Sequence, residues 1–487
     1  MRSRAVSKEN ESNTSGFDSP GFQDPLIDPL MAVTPIDGRY HARTRALAAY
    51  FSEFALIRYR VRIEIEWLLA LAENPALKEF TLDRGAPPRL RALYADFTLA
   101  DARRVKGLER TTNHDVKAIE YFLAEKIAAA GIKVPPGMIH FACTSEDINN
   151  LAYALMLKEF CERELAPALD SIVAMLAAMA RRWRSVAMVA RTHGQTATPT
   201  TMGKELAVFA ARLERQRRAL GRQEFLGKFN GAVGNFNAHQ AAVPEADWIE
   251  CSRRFVESMD LVWNPLTTQI ESHDFIAELL DLMVRIDTIL LGFARDMWGY
   301  IALGYFGQRT VKGEVGSSVM PHKVNPIDFE NCEGNLGLAT ALFQHLAAKL
   351  PVSRWQRDLS DSTAMRALGT AFGHLMVALE ALGRGLDRVE LNAARIAADL
   401  EAEGAWEVLA EAVQTVMRRQ GLEDPYERLK ELTRGRAIDR EAMRGFIAAL
   451  ELPPEVKARL EKLEPRGYVG LAAELVERFA PGGKSKS

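Results

Sequence analysis

Apolar residues fall at Leu279, Met283, Ile286, Leu290, Phe293, Met297 and Tyr300, in alternating steps of four and three. That spacing predicts a long helix whose apolar seam packs in a bundle. Leu280, Leu282, Val284, Ile289 and Leu291 lie off the seam. The pattern therefore predicts cover on more than one side, from other helices of the chain or from other subunits. A second long helix is predicted to begin at Thr144, where Thr144 and Asp147 have the form of a capping box. Its apolar positions run through Ile148, Leu151 and Leu155 toward Trp183, with a kink at Pro167. A third helix carries Met202, Leu206, Phe209 and Leu213. Alternating strand patterns are scarce, so the fold class expected is all-α, built on long helices.

Breakers divide this pattern. The first thirty residues are polar and acidic and lack an apolar signal core, which predicts a disordered extension over 1–30 and neither a secretory nor a transit peptide. "VPPG" (Val134 to Gly137) ends an N-terminal helical domain, 31–134, and "GRGLDRVELN" (Gly383 to Asn392) ends a central long-helix domain, 135–386. Shorter amphipathic helices then fill a C-terminal domain, 387–487.

Composition narrows the function. The 487 residues carry a net charge of −2, which supplies no field for nucleic acid or an anionic membrane. Cys143, Cys161, Cys251 and Cys332 lie at no zinc or redox spacing and are too sparse for a disulfide framework, so reduced thiols in the cytoplasm are expected. No apolar run approaches the ~20 residues of a membrane span. GxGxxG and HExxH are absent, and Gly221 to Phe229 misses the spacing of a phosphate loop.

The chemistry must then sit in polar stretches between the helices. In "GSSVMPHKVNP" (316–326), Gly316 frees the backbone while Pro321 and Pro326 keep it out of helix. Lys323 offers a cation for a carboxylate, Asn325 a donor and an acceptor, and Ser317 or Ser318 a hydroxyl that an adjacent cation can activate. A solvated surface loop accounts for the same composition. "RTHGQ" holds His193, the residue type suited to acid–base work near neutral pH. "TTNHDVK" pairs His114 with Asp115, and "IHFACTSEDINN" brings His140, Thr144 and Ser145 to a helix N-terminus suited to an anion.

"GSSVMPHKVNP" resembles the GSSxMPxKxN signature loop of the fumarase/aspartase superfamily, whose members eliminate a group to release fumarate. "PIDGRY", "ERTTNHDVKAIEYF", "HFACTSEDINN", "RTHGQTATPT", "NPLTTQIESHD", "MPHKVNPIDFENCEGN" and "SRWQRDLSDSTAMR" together are similar to the bacterial adenylosuccinate lyase branch. The resemblance runs from about Met31 to Phe479.

It implies three helical domains, a homotetramer with a central multi-helix core and active sites shared between subunits, and no metal or organic cofactor. The substrates implied are adenylosuccinate and the succinylated ribotide SAICAR; the products are AMP, AICAR and fumarate. Register in the loop implies Ser317 as general base, with Ser318 the neighbouring hydroxyl, and the match implies His193 as general acid. His140 would support that machinery, Glu330 would hold a neighbouring histidine, and Lys323 would face a succinyl carboxylate. Arg39, Tyr40, Arg357 and Arg366 fit a phosphate or carboxylate clamp. The match also puts Asn113, His114, Asp115, Thr144, Ser145, Gln269, Asn325, Asn331, Ser362 and Thr363 around the substrate. The alternatives are another superfamily lyase, such as argininosuccinate lyase or fumarase, or a catalytically silent helical scaffold.

Overall fold

A computed structural model describes residues 28–309, 320, 323–402, 405–433 and 438–482. Ser317, Ser318 and most of the signature loop lie outside the described residues.

Helix α1 (Glu53–Ala72) begins where Ser52 Oγ accepts from Ala55 N at 3.1 Å and is buried around most of its circumference. Helix α2 (Asp115–Ala129) is capped by His114, whose Nδ1 accepts from Lys117 N at 3.1 Å. The helix predicted from Thr144 is continuous but built in three parts: α3 (Ser145–Phe160), a π-helical turn over Cys161–Leu165, and α4 (Ala166–Arg182). Pro167 has no N–H to donate, and the widened turn just before it absorbs that missing bond. The capping box forms: Thr144 N donates to Asp147 Oδ2 at 2.8 Å.

At the far end of α4 the chain makes a hairpin, β1 (Ala187–Thr192) with β2 (Gln195–Thr201). Sequence pattern read this stretch as polar connection. Its register shifts between Met188 and Ala190, a bulge that breaks the two-residue alternation a strand would show. Helix α5 (Met202–Leu220) then returns along α4. Gly203 permits the close crossing: a Cβ there would sit 2.3 Å from Ala180 O.

Helix α6 (Asp274–Ala302) contains the predicted seam. It leads through β3 (Phe306–Gln308) and the loop region to α7 (Ile327–Lys349), then α8 (Leu368–Arg388) and β4 (Val389–Leu391), which pairs antiparallel with β3. The α6–α7 and α7–α8 packings are the most extensive. The off-seam Leu280, Leu282 and Ile289 are buried by helices of the same chain. Asp281, Arg285, Thr288 and Arg295 form an exposed polar strip. Of the two sources of cover that the pattern left open, the chain itself supplies that of Leu280, Leu282 and Ile289.

The aromatic rings of Phe51, Phe160, Phe343 and Phe372 meet at centroid distances of 4.9–5.5 Å and tie the N-terminal region to the bundle. Residues of the N-terminal region and of the long helices share this one apolar core. A smaller core gathers Leu409, Val413, Met417, Met443 and Ile447, and α9 (Ala472–Phe479) packs back onto α5.

One buried acid stands between α6 and α7. Asp287 is 1% exposed; Thr340 Oγ1 donates to its Oδ2 at 3.0 Å, and Oδ1 has no hydrogen-bond partner among the described residues. Burial pushes its pKa up to about 8, with Thr340 opposing. Such an acid is protonated in the folded chain and ionises on unfolding. Its contribution to stability is therefore fully present below the unfolded value and is lost as pH rises toward 8. Asp287→Asn is expected to gain on the native chain by a few degrees in thermal midpoint between about pH 5 and pH 8. An equal midpoint difference at both pH values would show that Asp287 titrates normally.

Candidate active site

The residues singled out by sequence fall into three places. The first lies at the N-terminal end of α3. Asp115, opening α2, accepts from Arg60 of α1 at 2.8 Å (Nη2 to Oδ2). Arg60 Nε donates to Asn149 Oδ1 at 2.8 Å, and Asn149 Nδ2 to Glu146 Oε1 at 2.7 Å. Glu146 also pairs with Arg357 Nη2 at 2.9 Å. Arg357 Nη1 donates to Gln269 Oε1 at 3.4 Å, and its Nη2 lies 3.9 Å from Asp361. Asp358 and Asp361 are its neighbours in sequence, but the short ion pair of Arg357 is with Glu146, which is buried. Asp361 in turn faces His273 Nε2 at 3.4 Å.

This set brings Asp115, Gln269 and Arg357 into one polar chain, with Ser362, Thr363 and Arg366 just beyond Asp361. Arg366 Nη1 donates to Ser362 O at 2.7 Å. Charges of opposite sign alternate along the chain, as burial requires. Although burial would raise the pKa of Asp115, Arg60 and the Val116 amide hold it below the ordinary carboxylate value. Burial acts likewise on Asp361, where His273 and Arg357 prevail and lower it.

His140 sits on the same side. Its Nδ1 is 2.6 Å from Glu64 Oε1 of α1. Burial disfavours its charged form, but the Glu64 carboxylate, with Glu120 and Asp147 behind it, outweighs that and raises its pKa. Thr144 and Ser145 follow at the helix start. Beneath them Asp147 and Lys228, both fully buried, pair at 2.8 Å. Asp147 also accepts from the amides of Asn230 and Gly231, and Lys228 donates to Gly231 O at 3.0 Å. Breaking one half of such a pair costs about 3–5 kcal/mol, so the glycine-rich loop after Lys228 is held firmly against the helix start. His114 is exposed; because Nδ1 accepts the capping bond, the neutral ring carries its proton on Nε2 and can donate outward.

The second place is the turn between β1 and β2, where His193 is exposed. The third is the start of α7. There Asn331 Nδ2 donates to Tyr40 Oη at 3.2 Å, and Asn335 Nδ2 donates to Asn331 O at 2.9 Å. Burial would raise the Tyr40 pKa, but Asn335, Asn331 and Arg39 lower it. Lys323 is exposed and Asn325 half-buried, close to β3 through the Gln308 Nε2 to Val324 O bond of 3.0 Å. Glu330 accepts from Trp298 Nε1 at 3.2 Å.

Within one chain the first place and His193 are far apart. Ser145–Arg182 is one continuous helical run, ~57 Å long at 1.5 Å per residue. The His140–Thr144 turn precedes it and the β1–β2 hairpin follows it. A hairpin of ~20 Å folded straight back would still leave more than ~30 Å between them.

Asn113, His140, His193 and His273 all have positive φ, at 51°, 59°, 52° and 62°. Each costs about 1–3 kcal/mol for a residue with a Cβ, a strain that collects at functional turns. Sequence reading missed Arg60, Glu64, Glu146, Asn149 and His273. For the first four the available signal was polar or charged residues inside the otherwise apolar runs "RYRVRIEIEWLLALA" and "SEDINNLAYALML"; His273 lies in neither. Among the described residues no group of three His, Cys, Asp or Glu is arranged to hold a metal ion.

A family model described as "Lyase" matches residues 38–340, and one described as "Adenylosuccinate lyase C-terminal" matches 353–469. The chain is 53% identical over 456 residues to an adenylosuccinate lyase of Vibrio cholerae, covering 93% of this chain and 100% of that one. It is 53% identical over 457 residues to the adenylosuccinate lyase of Escherichia coli K12, with 93% and 99% covered. Among solved structures, a 3-carboxy-cis,cis-muconate lactonizing enzyme from Pseudomonas putida superposes with TM-score 0.70 at 23% identity, covering 91% of this chain and 98% of that one. A fumarate lyase from Mesorhizobium gives 0.72 at 18%, with 90% and 98% covered. At those identities the two structures carry the fold alone.

Proposed function

This chain belongs to the adenylosuccinate lyase family of the fumarase/aspartase superfamily, and we propose from that membership how its residues divide the work. It is a C–N lyase of purine biosynthesis, releasing fumarate from adenylosuccinate to give AMP and from SAICAR to give AICAR. The observation that carries this is identity of 53% across nearly the whole chain, both lyase segments included. No helix among the described residues is long and apolar enough to cross a membrane; we place the enzyme in the cytoplasm.

The reaction needs a base to take a proton beside one succinyl carboxylate, cations to hold the charge that spreads onto it, and an acid to protonate the departing nitrogen. In our reading Ser317 takes the proton, Lys323 and Asn325 receive the carboxylate, and His193 supplies the proton to nitrogen. Glu330 holds the histidine when subunits meet. Arg357 and Gln269, already joined at 3.4 Å, form one clamp for an anionic group. Arg366 with Ser362 and Thr363 forms another, and Arg39 with Tyr40 a third. Asn113, His114 and Asp115, with Thr144, Ser145 and Asn331, line the remaining substrate, and His140 supports the acid–base machinery. The distance between His193 and the His140 end within one chain supports a site completed by other subunits of a homotetramer. Exposed apolar residues on the long helices, Val208, Trp298 and Leu338, agree with that packing.

The test is a spectrophotometric assay. Adenylosuccinate and SAICAR should both be cleaved, argininosuccinate should be left intact, and exhaustive chelation should not slow the reaction. Cleavage of argininosuccinate in preference to adenylosuccinate would move the chain to another branch. A chelation loss restored by magnesium or zinc would contradict acid–base chemistry by side chains alone.

A further inference from the structure

We propose that Arg60 and Glu64, one turn apart on α1, are positioning residues for the lyase reaction, each holding a residue of the substrate site in register. The inference rests on the lyase reading of that site.

Helix α1 is an apolar element: Leu56, Val61, Ile63, Leu68 and their neighbours are buried on nearly every side. Arg60 and Glu64 are each 1% exposed within it. Opposite charges at this spacing on a helix ordinarily face each other. Here each instead reaches a different residue of the 113–149 segment. Arg60 spans Asp115 and Asn149, both at 2.8 Å. Through Asn149 and Glu146 the same guanidinium is linked to Arg357. A planar fork can hold two partners at fixed angles, which a lysine cannot do.

Glu64 takes His140. The 2.6 Å contact is to Nδ1, so that nitrogen carries the hydrogen and donates to the carboxylate, leaving Nε2 on the free side of the ring. His140 is itself at φ 59°, a conformation that needs outside support. Trp67 Nε1, one turn further along α1, donates to Phe141 O at 3.0 Å and pins the same turn. Glu64 Oε2 is buried and has no hydrogen-bond partner among the described residues. For stability alone this carboxylate is a poor choice, since half of it is desolvated without return. For fixing one histidine in one tautomer and orientation it is well suited, as the third member of an acid–base chain is elsewhere.

The test is a double-variant cycle on the full-length enzyme with adenylosuccinate as substrate. Glu64→Gln should lower kcat/KM at least ~10-fold, as the loss of an orienting partner does for a metal-bound histidine, while the thermal midpoint stays level or rises. His140→Ala should lower it at least as far. The variant carrying both changes should be no slower than His140→Ala, because Glu64 acts through His140. Arg60→Gln should raise KM at least ~10-fold with a smaller effect on kcat, since it holds binding groups. The proposal is overturned if Glu64→Gln retains native kcat/KM, or if the Glu64 and His140 losses multiply. It is equally overturned for Arg60 if KM stays native. Should Glu64→Gln fail to fold, Glu64→Asp takes its place in the cycle with the same expected and overturning results, because it too withdraws the carboxylate from Nδ1. A native enzyme inert toward adenylosuccinate would instead refute the lyase reading, which is a separate outcome.

Discussion

Alanine in place of His193, or in place of Ser317, is expected to lower kcat by at least ~10²-fold, the lower end of what general acid–base catalysis supplies. That corresponds to about 2.7 kcal/mol of lost transition-state stabilisation. For His193 the loss should be chemical and not structural. The side chain is exposed at the tip of the β1–β2 turn, and no hydrogen bond or ion pair to it occurs among the described residues. Its removal opens no cavity, so the thermal midpoint should stay put. The backbone is another matter: φ is 52° at His193 and 75° at Gly194, a tight turn that presents the ring outward. A side chain held in that strained turn, with no hydrogen bond or ion pair among the described residues, is free to serve the acid role proposed for it. Ser318→Ala should cost less than Ser317→Ala. A His193→Ala enzyme near the native rate, or a Ser318→Ala loss exceeding that of Ser317→Ala, would remove the assignment of acid or base.

Much of the fold was legible because helix packing leaves a local trace. The four–three spacing from Leu279 to Tyr300 marked the interior of a helix that runs from Asp274 to Ala302. Thr144 and Asp147 marked the start of another through a capping box that forms as written. What covers each helix was less legible. Period alone does not tell a neighbour in the same chain from one in another, and Leu280, Leu282 and Ile289 find theirs at home. The hairpin around His193 escaped because its bulge breaks alternation and the residues at its turn and along its second strand are mostly polar.

At the site, sequence motifs reached the residues proposed to face substrate but not those behind them. Glu64 is 76 positions from His140, and Arg60 is 89 from Asn149. No local spacing rule connects such pairs; only the packing of α1 against α3 does. Arg357 shows the same limit. Asp358 and Asp361 lie close to it in sequence, yet its short partner is Glu146, on a helix far earlier in the chain. Charges within apolar runs are the one trace these residues leave, and they give the question without the partner.

Mixing two impaired variants is expected to restore activity. His140 and His193 stand at opposite ends of the helical run Ser145–Arg182, which at 1.5 Å per residue separates them by tens of ångströms in any one chain. A purine-sized substrate cannot touch both unless they come from different subunits. When His140→Ala and His193→Ala chains are denatured together and refolded in equal amounts, each site draws its His140 side and its His193 side independently. About a quarter of the sites in such random closed assemblies then carry neither defect. Activity should rise toward a quarter of the native value, well above either parent. Ser317→Ala mixed with His193→Ala should behave alike if the loop and the hairpin of a site also belong to different chains. The control is refolding each variant alone, which should regain nothing. If the mixed assemblies form, as tags on the two variants can verify, and stay as slow as the average of their parents, each site takes both residues from one chain. The ~57 Å helical run would then have to be bridged by some rearrangement of the chain, and the shared-site reading would fall.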